Sequence, residues 1–186
     1  FHQLSLAAGY ALTPSLRLNA DLAVGQMRQN QAYLDYSAVP ALLAALSVPL
    51  PRPDLDGRVD TRLLSLRLAQ RSDSALRWDA RLRIDDRDNR TPVDEYVYIS
   101  GDSELQNAAA SSARRRFTIA PDFRDSLYAL GAGWHPDRRF GVDVELAHQA
   151  IERTASARSD NREQRLLLKL RHRVADRFDY GFRLGG

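Results

Sequence analysis

The residues best suited to chemistry form a run of oxygen-bearing side chains near the middle of the chain. Asp85, Asp86, Asp88, Asn89 and Asp94 lie within ten consecutive positions, and carboxylate and amide oxygens are the ligands that Ca²⁺ prefers. Their spacing does not match the calcium-binding loop of an EF-hand. Arginines alternate with the acids, so ion pairing at the end of a strand explains the run better than a bound cation. We therefore predict no metal site.

The histidines and serines form no recognisable catalytic pattern either. His2, His135, His148 and His172 are scattered without the spacing of metal ligands or of a general base. No G-x-S-x-G nucleophile motif is present. Because there is no cysteine, the chain can form no disulfide and cannot attach a c-type haem covalently. The sequence therefore predicts no catalytic residues and no cofactor of its own.

Charge and hydropathy exclude two further classes of protein. The net charge is only +3 and arginines are interleaved with aspartates, whereas a nucleic-acid-binding surface gathers basic residues on one face. The longest apolar stretch, residues 39–50, is broken by Pro40 and Pro49 and falls short of the roughly 18 residues that a membrane-spanning helix requires. The overall composition resembles that of a soluble domain, but transmembrane β-barrels share it because half of each strand faces a polar lumen.

Eight segments alternate apolar and polar residues with the period of two that is typical of a β-strand with one apolar face. In the clearest of them, Leu76, Trp78, Ala80, Leu82 and Ile84 alternate with charged residues. The eight segments span residues 4–12, 16–24, 64–69, 76–85, 126–134, 140–146, 165–173 and 178–184. The sequence therefore predicts an all-β fold.

The connections between these segments alternate in length. Long connections lie near residues 26–57 and 86–124 and a medium one near 149–162, while the others are tight turns. Outer-membrane β-barrels have this arrangement, with short turns on the periplasmic side and long loops outside. Five of these segments cover nine or ten residues, enough for a tilted strand to cross a bilayer. We predict an antiparallel up-and-down transmembrane β-barrel, with residues 1–186 as a single segment of it.

Aromatic residues gather at one end of the predicted strands. All of them lie on the apolar face within a few residues of a short turn; they are Tyr10, Trp78, Trp134, Phe140, Phe178 and Tyr180. Tyrosine and tryptophan concentrate where a barrel meets the membrane–water interface. We expect these residues to form a girdle at the periplasmic interface.

The polar face of the predicted strands carries charges that would face the lumen of a barrel. The residues that we expect to contact a partner there are Arg77, Asp79, Arg81, Arg83, Asp143, Glu145, Lys169 and Arg171. A symmetric pairing of the strands would place Asp143 opposite Lys169. Gly131 and Gly133 lie on the same face, where a missing side chain lets a bulky neighbour approach.

Several short strings resemble one family of outer-membrane proteins. They include Leu55-Asp56-Gly57-Arg58-Val59-Asp60-Thr61, Asp85-Asp86-Arg87-Asp88-Asn89-Arg90-Thr91-Pro92-Val93-Asp94, Tyr96-Val97-Tyr98 and Ile151-Glu152-Arg153-Thr154. Together with the order of the strands, these strings resemble the MtrB/PioB family, the decahaem-associated outer-membrane barrels. The motif positions that carry the resemblance are Asp56, Gly57, Asp60, Thr61, Asp86, Arg87, Asp88, Asn89, Thr91, Pro92 and Asp94.

The resemblance implies a function based on position rather than on catalysis. It implies a large barrel in the bacterial outer membrane that sheathes a periplasmic-side multihaem c-type cytochrome, with an outer-surface cytochrome as a further partner. The cytochrome would carry electrons across the membrane, and the barrel would be its insulating sleeve. This chain would supply about eight strands of that barrel. It lacks the cysteine pair of many members and ends on Leu184-Gly185-Gly186 without a terminal aromatic residue, so we interpret it as an internal piece of a longer exported precursor.

Two other functions remain open from the sequence. One is a porin-like or small adhesive outer-membrane barrel without a cytochrome partner. The other is an outer-membrane enzyme of the lipase or protease kind, which would need a nucleophile and a base on the lumen or loop face. The alternation of residues gives no sign of such a pair.

Overall fold

The computed structural model describes most of the chain as β-structure. The described residues are 1–36, 38, 40, 43–44, 49–71, 75–97, 115–154, 159–175 and 178–186. The strands are β1 (His2–Ala11), β2 (Leu16–Gln29), β3 (Gly57–Gln70), β4 (Leu76–Asn89), β5 (Glu95–Val97), β6 (Arg115–Phe117), β7 (Phe123–Trp134), β8 (Phe140–Arg153), β9 (Asp160–Ala175) and β10 (Phe178–Gly185). No helix that could serve as a membrane span occurs in the described part of the chain.

Eight of the strands form one antiparallel sheet. Its order is β1-β2-β3-β4-β7-β8-β9-β10, so each strand pairs with the next one of the sheet along the chain. The short strands β5 and β6 pair with each other in the long connection between β4 and β7. The all-β, antiparallel up-and-down architecture predicted from the sequence is confirmed, whereas the β5–β6 hairpin was not predicted. The sheet does not close on itself, and β1 and β10 lie at its two edges.

The strands continue beyond their apolar parts at the end of the long connections. β2, β3, β4 and β8 each have 14 residues, which corresponds to roughly 46 Å at about 3.3 Å per residue. The apolar band of an outer-membrane barrel is only about 25 Å tall. The strands therefore extend into the ranges 26–57, 86–124 and 149–162 as hydrogen-bonded ladders. In these extensions the face that continues the apolar band becomes polar, whereas Met27 and Val59 lie on the other face.

The register of the strands puts the apolar side chains on one face. Leu22 pairs with Leu64, which pairs with Ile84 on the next strand. This face remains exposed, as the exposed fractions of Leu4 (73%) and Leu130 (59%) show. Among the described residues, Val97 and Ala129 are the buried hydrophobic ones. A soluble sandwich would bury such a face, so this face requires an apolar surrounding such as lipid.

Aromatic rings line the apolar face at the short-turn ends of β7 to β10. Trp134 contacts Phe140 edge to face, with ring centroids 5.7 Å apart. Phe140 contacts His172 at 5.9 Å, and His172 contacts Tyr180 at 5.4 Å. The Tyr180 hydroxyl also lies 2.9 Å from Nδ1 of His172. Trp134, Phe140 and Tyr180 therefore lie together on the apolar face at these ends, as predicted, while the side chain of Phe178 lies outside the described residues. Their position at the periplasmic interface stays a prediction.

Candidate partner-binding face and strand-end network

The eight charged residues predicted to contact a partner lie on the face opposite to the apolar one. Asp143 pairs with Lys169 across β8 and β9, as predicted. Gly133 of β7 pairs with Arg77 on one side and with Asp143 on the other. The structure therefore brings the charged positions of β4, β8 and β9 onto one surface, which we call the polar face.

Two ion pairs on the polar face join strands that are not neighbours. Nη2 of Arg77 lies 3.0 Å from Oδ1 of Asp143, and Nη2 of Arg81 lies 2.8 Å from Oε2 of Glu145. In both pairs the arginine is on β4 and the acid is on β8, whereas β7 lies between these strands. The side chains therefore cross over the backbone of β7. Asp143 has the predicted register, but its carboxylate binds an arginine two strands away.

Gly133 of β7 makes the crossing of Arg77 and Asp143 possible. A Cβ atom added at Gly133 would lie 2.5 Å from Oδ1 of Asp143 and 2.8 Å from Nε of Arg77. A Cβ atom added at Gly131 would lie 2.9 Å from Oδ1 of Asp79. Real Cβ atoms do not approach other atoms so closely. The prediction that these glycines let bulky neighbours approach is confirmed: Gly133 admits the ion pair of Arg77 with Asp143, and Gly131 admits the carboxylate of Asp79.

His135 joins the charged cluster at the short-turn end of the polar face and was not predicted to do so. Nε2 of His135 lies 3.4 Å from Oδ2 of Asp143 and 3.5 Å from Nη2 of Arg77. Its ring rests against Gly141, where a side chain would collide with it. The signal that could have revealed this residue is the pairing of a histidine after β7 with a glycine at the start of β8.

The remaining predicted residues lie around this cluster. Asp79 forms an ion pair with Arg81, whose Nε lies 3.1 Å from Oδ2 of Asp79. Nη2 of Arg83 lies 3.6 Å from Oδ2 of Asp85. Lys169 and Arg171 are exposed on β9. A groove of about 790 Å³ runs along this surface, and five of the eight predicted residues line it: Arg77, Asp79, Asp143, Glu145 and Lys169.

The family-like motif residues lie at the other end of the sheet, where the strands give way to the long connections. Asp56 has a positive φ of 45°, and its N–H donates to Oδ1 of Asp54 at 2.9 Å. Gly57 then begins β3 so close to β2 that a Cβ atom would lie 3.2 Å from the carbonyl oxygen of Gln29. Asp60 accepts a hydrogen bond from Nε2 of Gln26 at 2.8 Å. This motif therefore fixes the entry of the chain into β3.

Threonine hydroxyls at this end accept backbone N–H groups from neighbouring segments. Oγ1 of Thr91 accepts from Arg58 at 3.1 Å, and Oγ1 of Thr154 accepts from Asp122 at 2.7 Å. Asp94 donates its N–H in the same way to a threonine hydroxyl in the segment after β6. These contacts satisfy backbone donors where the strand ladders end.

The acidic run at the end of β4 is engaged in ion pairs. Successive residues of a strand point to opposite faces, so the Asp85 and Asp86 carboxylates do not converge. Asp86 lies 4.0 Å from Arg62, and Asp88 lies 2.9 Å from Arg90. The part of the chain that the structure describes contains no group of three acids or histidines arranged to hold a metal ion.

The last motif residues connect β4 to neighbouring segments. The Arg87 guanidinium lies over the Phe123 ring of β7, 5.5 Å from its centroid. Asn89 donates its N–H to Oδ1 of Asp122 at 2.7 Å and accepts the N–H of Thr91 on its side chain. Pro92 follows in the segment that leads to β5, and Thr61 lies on β3 beside Gly25. The motif residues thus hold strand ends together.

A tyrosine cluster ties the two long connections to each other. The Tyr96 ring lies 6.0 Å from the Tyr33 ring and 4.7 Å from the Tyr36 ring. Asp94 binds Nε of Arg52 at 2.6 Å and the hydroxyl of Tyr33 at 3.3 Å. Burial raises the pKa of Tyr33 and Tyr96, and the nearby Asp94 adds to the effect at Tyr33. The first loop is therefore packed against the β5–β6 hairpin.

An exposed apolar face with an aromatic belt, backed by a charged face, defines the wall of a transmembrane β-barrel. Comparison with known proteins agrees with this class. The sequence model of the MtrB/PioB outer membrane beta-barrel porins matches residues 1–185. The chain belongs to the MtrB/PioB family of outer-membrane β-barrel proteins, and its location is the bacterial outer membrane.

A curated outer-membrane protein is similar to most of this chain, and the similarity covers only part of that protein's length. The chain is 28% identical over 161 residues to "Outer membrane protein MtrB" of Shewanella baltica (strain OS185). The alignment covers 84% of this chain and 22% of the relative. The chain therefore spans about a fifth of the length of that protein.

Proposed function

We propose that this chain is a section of an outer-membrane barrel that sheathes a multihaem c-type cytochrome in an extracellular electron-transfer conduit. The observation that carries the proposal is the polar face, where charges are held in place by ion pairs and still reach the surface. The side chains of Arg77 and Asp143 are 60% and 40% exposed although they bind each other. Charges that are positioned in advance lose little freedom when a partner binds.

The polar face suits a protein partner with acidic regions on its surface. Besides the mixed cluster of β4 and β8, strand β9 carries exposed basic residues on this face, including Lys169, Arg171 and Arg173. Arg183 of β10 pairs with Lys169 and extends this basic stripe. Complementary charge of this kind fixes the orientation of a partner more than it adds affinity. The proposed multihaem cytochrome enters the barrel from the periplasmic side. An outer-surface cytochrome would contact that cytochrome at the end of the barrel where the long connections lie.

The proposed mechanism is positional. The apolar face contacts lipid, while the polar face surrounds the cytochrome and separates its haems from the bilayer. The haems belong to the partner, since no residue of this chain can bind a c-type haem through a thioether.

The full barrel is larger than the described sheet. An eight-stranded barrel has an interior that is filled by side chains or holds one small ligand, which is too narrow for a haem protein. We propose that further strands of a longer protein pair with the edges at β1 and β10, in agreement with the greater length of the relative.

The test is co-purification of the full-length parent protein with its native partners. The outer membrane is extracted in detergent and the barrel's complex is stained for haem. We expect a haem-positive complex that dissociates in the variant Lys169→Glu/Arg171→Glu. The matched control is Arg28→Glu/Arg162→Glu, which reverses two exposed charges on the opposite face and should retain haem. A haem-positive complex that is indifferent to both pairs of substitutions would contradict the role of the polar face.

A porin without a cytochrome is the second candidate, because the matched family is described as one of porins. A water-filled lumen lined by mixed charges also fits this function. A haem-free barrel that conducts ions in a planar bilayer would establish it in place of the sheath.

A further inference from the structure

A row of three arginines lies on the lipid-facing side of the sheet, beyond the apolar band. Arg28 of β2 pairs directly with Arg58 of β3. The N–H of Arg90, just after β4, donates to the carbonyl oxygen of Arg58 at 2.8 Å and continues the register. Because side chains alternate along a strand, Arg28 shares its face with Leu22 and Val24 of β2. The row therefore faces the same surrounding as the apolar band.

Acceptors one step closer to the apolar band hold these arginines in place. Nε of Arg28 donates to Oε1 of Gln26 at 2.5 Å. Arg58 binds Asp60 through Nε and Nη2, at 3.3 and 3.2 Å. Nε of Arg90 lies 2.9 Å from Oδ2 of Asp88 and 3.4 Å from the carboxylate of Asp60. The side chains of Arg58 and Arg90 nevertheless remain 42% and 49% exposed.

The height of the row places it at the level of lipid headgroups. Arg28 lies four residues beyond Val24, whose side chain is 55% exposed on the apolar face. Four residues of a tilted strand rise roughly 10 Å along the membrane normal. The polar zone of a bilayer begins at the edge of the hydrocarbon core and is several ångströms deep. Arg58 and Arg90 fold back toward Asp60, and Arg28 folds back toward Gln26, so their guanidinium groups lie within this zone.

We propose that Arg28, Arg58 and Arg90 form a binding site for the phosphate of a phosphorylated glycolipid headgroup in the outer leaflet. The long connections mark the outer side of the membrane, where lipopolysaccharide supplies such phosphates. A guanidinium presents a planar fork of donors that matches phosphate oxygens. These contacts use the Nε of each arginine and, in Arg58, also Nη2, so the other Nη donors can bind a second acceptor. The site is independent of the proposed cytochrome and lies on the opposite face of the wall.

The experiment measures lipopolysaccharide binding to the purified full-length parent protein in detergent. Three ligands are compared: intact lipopolysaccharide, lipopolysaccharide whose lipid A phosphates have been removed, and inorganic phosphate. The test variant is Arg28→Gln/Arg58→Gln/Arg90→Gln. The control variant removes the same charge from the polar face: Lys169→Gln/Arg171→Gln/Arg183→Gln.

We expect intact lipopolysaccharide to bind the unaltered protein and the control variant alike. An arginine near an anionic surface contributes about a fivefold gain in affinity, so the loss in the test variant should be on the order of a hundredfold. The single substitution Arg28→Gln leaves both arginine contacts to Asp60 intact and should lose about fivefold without disturbing the fold. Heat-modifiable migration on gels verifies folding of each variant.

Three results would overturn the proposal. The test variant and Arg28→Gln could bind as tightly as the unaltered protein, or dephosphorylated lipopolysaccharide could bind as well as the intact form. Inorganic phosphate alone could compete at low millimolar concentration, which would identify a site for free anions rather than for a lipid. Loss of haem from the complex has no bearing on any of these results.

Discussion

The substitution Gly133→Ala tests whether the ion pair between Arg77 and Asp143 depends on an empty position on β7. The new methyl group would lie 2.5 Å from Oδ1 of Asp143, 2.8 Å from Nε of Arg77 and 3.0 Å from Cε1 of His135. All three neighbours would have to move by several tenths of an ångström or more. We expect the variant to fold with the ion pair broken or displaced.

The expected loss in the free energy of unfolding depends first on how exposed the ion pair of Arg77 and Asp143 is. Both side chains are more than a third exposed, so the ion pair itself contributes at most about 1 kcal/mol. Forcing a methyl group into an occupied position typically costs about 1–3 kcal/mol. Alanine recovers about 0.5–1 kcal/mol because it restricts the unfolded chain more than glycine does. We therefore expect a net loss of about 1–2 kcal/mol in the free energy of unfolding.

The assay is reversible urea unfolding of the full-length parent protein in lipid vesicles. Gly185→Ala is the matched control, because its methyl group would meet Leu167 at an ordinary contact distance of 3.5 Å. Most of the penalty should vanish when Gly133→Ala is combined with Arg77→Ala/Asp143→Ala. Equal stability of the Gly133 and Gly185 variants would refute the reasoning, and so would a penalty that persists undiminished in the triple variant.

Three further predictions concern the ends of the strands. The backbone N–H groups of Arg139 and Phe140 in the β7–β8 turn lower the pKa of Asp137 below its ordinary 3.8. The turn should therefore lose stability as pH falls below about 4, and Asp137→Asn should remove this dependence in unfolding measurements between pH 2 and 6. Thr154→Val deprives the Asp122 N–H of its acceptor, and we expect a loss of up to about 1 kcal/mol with faster proteolysis of the connection before β7. Trp134→Ala removes an aromatic contact of the girdle and should lower stability in vesicles by about 1–3 kcal/mol.

The strands were predictable because a membrane imposes a simple pattern on them. Between Leu76 and Ile84 each residue meets either lipid or a polar interior, so the period of two is strict. Beyond Val24 the face that continues the apolar band carries Gln26 and Arg28, while Met27 lies on the other face. The original pattern therefore disappears although the hydrogen-bonded ladder continues to Gln29. For the same reason the short hairpin of β5 and β6 has no signature, since it lies outside the alternating segments.

The positions of the charged residues were predictable, but their partners were not. Alternation and register identify which residue of the next strand lies opposite, as for Asp143 and Lys169. They do not indicate contacts between strands that are separated by a third one, such as Arg77 with Asp143. Only the side-chain volume of the intervening strand decides whether such a contact forms. Gly133 contained this information, but a glycine does not identify the neighbour that needs its space.

The cost of the glycines suggests why the crossing ion pairs matter to the proposed sheath. Glycine weakens a strand because it loses more freedom on folding and packs no side chain. In a water-filled lumen the charges of Arg77 and Asp143 would be solvated without each other, and little would compensate for that cost. When a partner excludes water from the lumen, however, an unpaired charge becomes expensive and a paired one much less so. Gly133→Ala is expected to lower the free energy of unfolding of the barrel by about 1–2 kcal/mol. We expect it to lower the stability of the haem-containing complex by more than that amount. An equal effect on both would indicate that this part of the lumen stays wet.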